Sequence, residues 1–497
     1  MTGALLVAGT HSDAGKTVIT AAICRWLRRR GVAVAPFKAQ NMALNSTVTP
    51  SGAEIGRAQA FQAAACRIAP EAAMNPVLLK PSGPGHSQVI LMGTPYTDAT
   101  ARSYQELKAE LREPVAAALA GLRARFDVVV CEGAGSPAEI NLRAGDLANM
   151  GLAREAGLPV LLVGDIDRGG VFASLYGTLA LLEPEDQALL AGFLINKFRG
   201  DPAILAPGLE QLRELTGRPT YGVLPWLDEP FIDAEDSLAL ARPPRPAPGA
   251  TLDVAVIRLR WMSNFTDIDA LAAEPGVAVR FTRSPADVER ADLVILPGTK
   301  ATVEDLRRLR ADGLDRALRE RRGPILGICG GYQMLGTEIE DGVESGAGRV
   351  EGLGLLPVRT VFAPEKLLRQ VSGQTRDGLA ASGYEIRHGR VTREGGEPWI
   401  APGEGCAAGD VLGTSWHGLL EGDAVRRGLL RWVAEQSGRD WVPGTRPFAE
   451  VREAHLDRLA DWLAEHVDEP ALLELIERGA PAGLPVIPPG GVACSVC

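Results

Sequence analysis

No apolar run in this 497-residue chain is long enough to cross a bilayer, which argues against a membrane-embedded protein. Positive charge is in deficit. Lys and Arg number 52 against 62 Asp and Glu, for a net charge of −10, and a nucleic-acid partner would call for a basic face instead. Local clusters of Lys and Arg can still bind an acidic small molecule. Cysteine is scarce and irregular. The seven stand at Cys24, Cys66, Cys131, Cys329, Cys406, Cys494 and Cys497, an odd number with no repeated spacing. That excludes a disulfide framework and points to a reducing, cytoplasmic setting. The opening Met1–Thr10 lacks the basic flank of a signal peptide, and none is expected. Histidine is also rare: His11, His86, His388, His417, His455 and His466 are the only candidate imidazole bases. The length implies two or three domains, and the sequence leaves room for a homo-oligomer.

The first half alternates short apolar segments with helical ones. Ala4–Ala8, Asp127–Cys131, Pro159–Val163 and Gly192–Ile195 read as buried strands. Thr17–Arg30 carries apolar residues at helical spacing and ends on a basic turn followed by Gly31. Continuous apolar strands between helices predict a doubly wound parallel α/β sheet, whose ligands sit beyond the carboxyl ends of the strands. The proline-rich stretch 241–250 reads as a linker between a domain at 1–240 and a second at 251–445. In the second, Asp253–Leu259, Val277–Phe281, Asp292–Leu296 and Pro324–Ile328 restart the strand pattern. Residues 446–497 are expected to form helices and an exposed, poorly ordered tail, with His455 and His466 on solvated faces.

Between the first strand and first helix lies Gly9-Thr10-His11-Ser12-Asp13-Ala14-Gly15-Lys16-Thr17. Backbone N–H groups and a helix N-terminus here can face the phosphates of ATP, with Thr10, Asp13 and Gly15 in the loop. Lys16 reaches the terminal phosphates and the Thr17 hydroxyl binds Mg²⁺. The spacing departs from the usual loop: the first glycine comes one residue early, and Thr10 stands where glycine is expected. Glu132 follows a buried strand and opens Glu132-Gly133-Ala134-Gly135, a place suited to a carboxylate that helps hold Mg²⁺. Asp165 and Asp167 also end a strand and either assist the metal or substrate or cap the next helix. Asn196 is a candidate contact to the adenine.

Pro324-Ile325-Leu326-Gly327-Ile328-Cys329-Gly330-Gly331 reads as strand, tight turn and helix, the shape of a nucleophile elbow with cysteine in the nucleophile's place. The flanking glycines relieve crowding, and the following helix N-terminus favours the thiolate. The Gly330 N–H suits an oxyanion hole, and a second donor is expected from the glycine turn at Gly298. His417, in Gly413-Thr414-Ser415-Trp416-His417-Gly418, is the candidate base, with His388 as runner-up.

With these motifs in place, the chain resembles the cobyric acid synthase family of corrinoid-amidating glutamine amidotransferases. The resemblance runs from Gly9 to about Leu430 and rests on Pro36–Met42, Glu54–Gln59, Met74–Pro81 and Ser87–Ile90, together with the stretches around Cys329 and His417. The N-terminal half is also similar to dethiobiotin synthetase. The resemblance implies an N-terminal P-loop-type domain joined to a C-terminal class I, or triad, glutamine amidotransferase domain. It implies that Cys329, with His417 as base, releases ammonia from glutamine. ATP and Mg²⁺ then activate four carboxylates (b, d, e and g) of adenosylcobyrinic acid a,c-diamide. Lys38, Asn41, Arg57, Lys80 and Ser87 are polar residues of the family-specific stretches and candidates to bind that anionic corrinoid. The acid often found two residues after the histidine is replaced by Leu419, so the third triad member is absent or supplied elsewhere, with Glu421 a candidate. Two other readings compete: the sibling enzyme that amidates the a and c carboxylates, and a non-catalytic partition-type ATPase. The latter carries a lysine early in its loop, where this chain has Thr10 and His11. Cys494 and Cys497 read as an incidental tail.

Overall fold

The structure, a computed structural model, describes residues 1–83, 85–227 and 249–488. Of the expected linker, only Gly249 and Ala250 fall within them; Cys494 and Cys497 lie outside. The chain builds two parallel sheets. The first has six strands in the order Thr220–Pro225, Leu190–Phe198, Val160–Asp165, Gly3–Gly9, Val128–Glu132, Val34–Phe37, all parallel. Its apolar strands are continuous because both faces are covered. Leu6, Val129 and Leu162 enter one core while Leu5, Val130 and Leu161 enter the other. The second sheet runs Val277–Thr282, Leu252–Ile257, Leu293–Leu296, Ile325–Ile328, Val411–Thr414, Cys406–Ala408, parallel but for the last pair. It divides in the same way, with Val294 and Leu296 on one face and Leu293 and Ile295 on the other.

Each sheet carries a mostly antiparallel addition that the apolar pattern does not reveal. Gln40–Met42, Val77–Gly83, His86–Leu91 and Thr94–Thr100 form a four-stranded sheet beside the first domain. Val358–Thr375 and Ala380–Arg393 form a long hairpin on the second. Both are rich in polar residues because much of their surface faces solvent or the other domain.

The expected C-terminal helices are Phe448–Ala464 and Glu469–Arg478; the first begins against the second domain, at Phe448 beside Ala270, and both pack into the first. Leu456, Leu459, Leu463, Leu472 and Leu475 join the core of Leu5, Val7, Ile19 and Trp26. Arg25, fully buried on the Lys16–Arg29 helix, donates to Glu453 and Asp457 across this contact. His455 therefore faces inward and is 3% exposed, contrary to the solvated position expected for it. The start of the supposed free tail is anchored as well. Ile487 is buried and its carbonyl accepts from Gln187, while the carbonyl of Pro485 accepts from Arg218.

Because these helices complete the first core, Leu463→Ala should destabilise the nucleotide-binding domain by about 2–5 kcal/mol. Urea unfolding followed by a probe in that domain would show a lowered midpoint; an unchanged midpoint would mean the helices are dispensable there.

Candidate functional site

The carboxyl ends of the first sheet converge on the phosphate loop. Gly15 has a φ of 103°, and a Cβ there would lie 2.1 Å from Asn196 Nδ2. Glycine is thus required on two counts, backbone conformation and space. Asn196 Nδ2 donates to the Ala14 carbonyl at 3.0 Å, so this amide props the loop from beneath. Asp13 adopts a left-handed conformation, its carbonyl accepting from Lys197 and its carboxylate from Arg168. Lys16 Nζ is folded into the loop, donating to the carbonyls of His11 at 3.0 Å and Gly135 at 3.1 Å. Thr10 Oγ1 is buried without a hydrogen-bond partner among the described residues, an unspent polar atom suited to a phosphate oxygen.

Glu132 is fully buried at the end of its strand. Its Oε1 accepts from Thr17 Oγ1 and Lys38 Nζ, both at 2.8 Å, and its Oε2 accepts from Gln62. The hydroxyl and carboxylate expected to hold Mg²⁺ are therefore neighbours. Among the described residues no cluster of three or more His, Cys, Asp or Glu forms a metal cage. Mg²⁺ needs none when one or two protein oxygens are completed by phosphates and water. Asp165 does not cap the helix that follows, Val171–Ala180, which has no side-chain cap; its carboxylate accepts from the Asp167 N–H and pairs with Lys197.

At the corresponding end of the second sheet, Cys329 closes the strand Ile325–Ile328 with φ 50° and ψ −108°. This is strained for a non-glycine residue, as a nucleophile elbow requires. The neighbouring glycines make the turn sterically feasible. A Cβ on Gly331 would lie 2.0 Å from the Leu296 carbonyl oxygen, one on Gly330 2.6 Å from Thr299 Cγ2, and one on Gly298 2.8 Å from His417 Cε1. The two glycines expected at the oxyanion hole thus pack around the thiol and its base.

His417 and Cys329 line the same pocket, where the Cys329 Sγ lies 3.9 Å from the Ile386 carbonyl oxygen. His388 lines the same pocket, but its Nδ1 is engaged by the Ala363 carbonyl at 3.0 Å. The imidazole behind the thiol is His417, 1% exposed. Its Nδ1 donates to Asp267 Oδ2 at 2.7 Å, while the Gly418 N–H donates to Asp267 Oδ1 at 2.7 Å. Burial works against the imidazolium, but the charges of Asp267 and Cys329 outweigh it and His417 is raised to about 10. Asp267 is the acid that sequence reasoning missed. It stands 150 residues before its partner, and no local spacing signals it. Glu421, the expected candidate, instead pairs with Arg57 and Arg452.

The polar residues of the family-specific stretches are mostly turned inward. Lys38 is bound to Glu132, and Asn41 Nδ2 donates to Gln59 at 2.9 Å. Lys80 Nζ donates to Ser46 Oγ and Glu54 Oε1, both at 2.7 Å, and reaches the wall of the Cys329 pocket. Arg57 pairs with Glu421 across the domain boundary. Ser87 stays half-buried in the His86–Leu91 strand.

Comparison with known proteins bears on both halves. Residues 5–237 match the CobQ/CobB/MinD/ParA nucleotide binding domain, and residues 253–425 match the CobB/CobQ-like glutamine amidotransferase domain. A cobyric acid synthase of Frankia casuarinae is 57% identical over 519 residues, covering 99% of this chain and 100% of its own. One from Streptomyces coelicolor is 58% identical over 506 residues, with 99% and 100% covered. The chain belongs to the cobyric acid synthase family. Among solved structures, a glutamine amidotransferase aligns with 37% of this chain and 98% of its own at 23% identity, with a TM-score of 0.30, too remote to add to the fold described above. As a member of the cobyric acid synthase family the chain is an enzyme, an ATP-dependent glutamine amidotransferase, and its two parallel sheets are the two domains that family joins.

Removing the charge of Asp267 should cripple glutamine hydrolysis. Asp267→Asn is expected to lower kcat by roughly 10²- to 10⁴-fold. The sign of the pH effect follows from the raised His417: its proton is held up to about pH 10 with Asp267 present and is lost at lower pH without it. The alkaline limb of the glutaminase profile should therefore move down in pH. Glu421→Gln should leave that limb in place; the reverse pattern would restore Glu421 as the third member.

Proposed function

We propose that this family member amidates the b, d, e and g carboxylates of adenosylcobyrinic acid a,c-diamide in the cytoplasm, using ATP, Mg²⁺ and glutamine. What supports the reading is that one chain brings together two different sets of side chains, one beside each parallel sheet. Cys329, His417 and Asp267 form one, and Lys16, Thr17 and Glu132 form the other.

In the glutaminase centre His417 takes the Cys329 thiol proton, and the thiolate sulfur attacks the side-chain amide carbon of glutamine. As the carbon–nitrogen bond breaks, His417 gives its proton to the departing ammonia, and Asp267 stabilises the imidazolium beforehand. Water then cleaves the thioester, yielding glutamate and the free thiol. In the synthase centre a corrinoid carboxylate oxygen attacks the γ-phosphorus of ATP and ADP leaves. Ammonia attacks the resulting acyl phosphate, phosphate leaves, and the amide forms. Activation is needed because a carboxylate is a poor electrophile at neutral pH. Lys16 is placed to neutralise charge on the transferred phosphoryl group. Thr17 and Glu132 would hold Mg²⁺, which supplies further charge neutralisation to the phosphates.

The division of labour is testable with two nitrogen sources. Cys329→Ala should abolish amidation from glutamine and retain amidation from added ammonium. Lys16→Ala should lose both while still hydrolysing glutamine. Full glutamine-dependent synthesis by the first variant, or unimpaired synthesis by the second, would overturn the assignment of that centre.

Substrate identity is read by mass. Each conversion of a carboxyl to an amide lowers the mass by about one dalton and consumes one ATP when each acyl phosphate is activated separately. The a,c-diamide should be carried through to the hexaamide. Failure to extend the diamide, with ready conversion of unamidated cobyrinic acid to a diamide, would assign the chain to the sibling reaction.

A further inference from the structure

We propose that the segment Ala43–Thr49 of the nucleotide-binding domain is a positioning element of the glutaminase. Through it, Asn45 and Ser46 hold the catalytic His417–Asp267 pair in place, so the glutaminase is set only while the two domains are docked. This rests on the reading of Cys329 and His417 as the glutaminase centre.

The contacts run as follows. Asp267 sits on the short 3₁₀ turn Phe265–Ile268, preceded by Asn264 in a left-handed conformation with φ 53°. Asparagine enters this region more readily than most non-glycine residues, and here its side-chain oxygen is also engaged. The turn is bonded on this side by the other domain. The Ser46 N–H donates to Asn264 Oδ1 at 2.8 Å, and the Phe265 N–H donates to Asn45 Oδ1 at 3.3 Å. The imidazole is braced on another side by Tyr384, whose ring stacks on it with centroids 5.6 Å apart. The backbones of Tyr384 and His417 exchange two hydrogen bonds of 2.9 Å. The Tyr384 hydroxyl in turn donates to the Ser46 carbonyl at 3.2 Å. Both braces of His417, the acid and the stacked ring, thus lead back to Ser46. All of these residues are buried, Asn45 at 1% and Ser46 at 0% exposure, so water does not substitute for a lost contact.

The same segment adjoins the nucleotide site. The Asn45 carbonyl accepts from the Arg57 N–H at 3.0 Å, at the start of the helix Arg57–Ala65. That helix presents Gln62 to Glu132. Arg57 itself pairs with Glu421, just beyond His417 in sequence. A short covalent and hydrogen-bonded path therefore joins the carboxylate beside Thr17 to the turn that carries Asp267.

The test uses the full-length enzyme and separates glutamine hydrolysis from synthesis with added ammonium. Asn45→Ala removes the carboxamide whose oxygen accepts from the Phe265 N–H, and no group of either reaction centre. Its glutaminase kcat should fall on the order of tenfold to a hundredfold, the scale of a small misplacement of a catalytic group. The KM for glutamine and ammonium-dependent synthesis should stay near wild type, and the alkaline limb of the glutaminase profile should move down in pH, as for Asp267→Asn. Combined with Asp267→Asn, it should add little further loss, because both act on the same pair. Tyr384→Phe, which deletes only the hydroxyl on the Ser46 carbonyl, should show the same pattern and serves if Asn45→Ala does not fold. Unchanged glutaminase in both variants, an equal loss with both nitrogen donors, or a fully multiplicative loss on top of Asp267→Asn would overturn the proposal. Cys329→Ala, assayed in parallel, tells this apart from failure of the glutaminase assignment itself.

Discussion

An imidazole sealed from water must have its charge met by the protein or lose it, and at His417 the charge is met by Asp267. Much of the second domain is arranged around that demand. The carboxylate uses both oxygens, one for the ring and one for the Gly418 N–H, so the acid orients the backbone of the His417 turn as well as the side chain. The pair also explains why Gly298 is glycine, since any side chain there would collide with the imidazole. The elbow at Cys329 is then built to the same tolerance, its strained φ made possible by glycines that let the strand, the turn and the next loop touch.

The nucleotide site follows a parallel logic with a different ion. Glu132 is buried among donors, from Thr17, Lys38 and Gln62, and none of its neighbourhood is bulk water. A buried carboxylate with that many donors is held in one orientation. Asn196 does the comparable work for the loop itself, fixing the Ala14 carbonyl and leaving room only for glycine at position 15. Both centres thus rest on a buried polar side chain that pins backbone. In both, the candidate reacting groups lie at the carboxyl ends of parallel strands, where strand and helix geometry leaves N–H groups open.

What the sequence made legible was local. The parallel strands were visible because burial on both faces leaves unbroken apolar runs. The phosphate loop and the elbow were visible because their glycines, lysine and cysteine stand within a few residues of one another. Asp267 was hidden because it reaches His417 only through the closed sheet. The return of Phe448–Ala464 and Glu469–Arg478 to the first domain was hidden for the same reason. Their amphipathic faces announce that something covers them, but not which domain. His455 shows the limit of helical patterning most clearly: a histidine among charged residues reads as solvated until the helix Arg57–Ala65 brings Phe61 beside its ring. The antiparallel hairpins escaped because polar residues facing solvent or the other domain do not give the alternation of a one-sided sheet.

The domain boundary is where these two classes of information meet. Glu54 is fully buried there between Lys80 of its own domain and Lys366 of the long hairpin. Burial alone would push its proton on, but the two ammonium groups hold Glu54 well below the usual carboxylate range, and burial pulls Lys366 down to about 7. An ion group of this kind is a poor source of net stability, because desolvation consumes most of the attraction. It is nonetheless demanding about geometry: a slip of the hairpin leaves Glu54 facing one lysine in a dry interface, or leaves Lys366 buried with no counter-charge. The Gln370 side chain on the Val48 carbonyl and the Tyr384 hydroxyl on the Ser46 carbonyl bind the same hairpin to the same segment. Apolar packing would tolerate small sliding; buried charges and directional hydrogen bonds do not. A two-domain enzyme that needs one domain to hold the other's catalytic pair has reason to make its interface from polar contacts, whose value lies in the single docked geometry they permit.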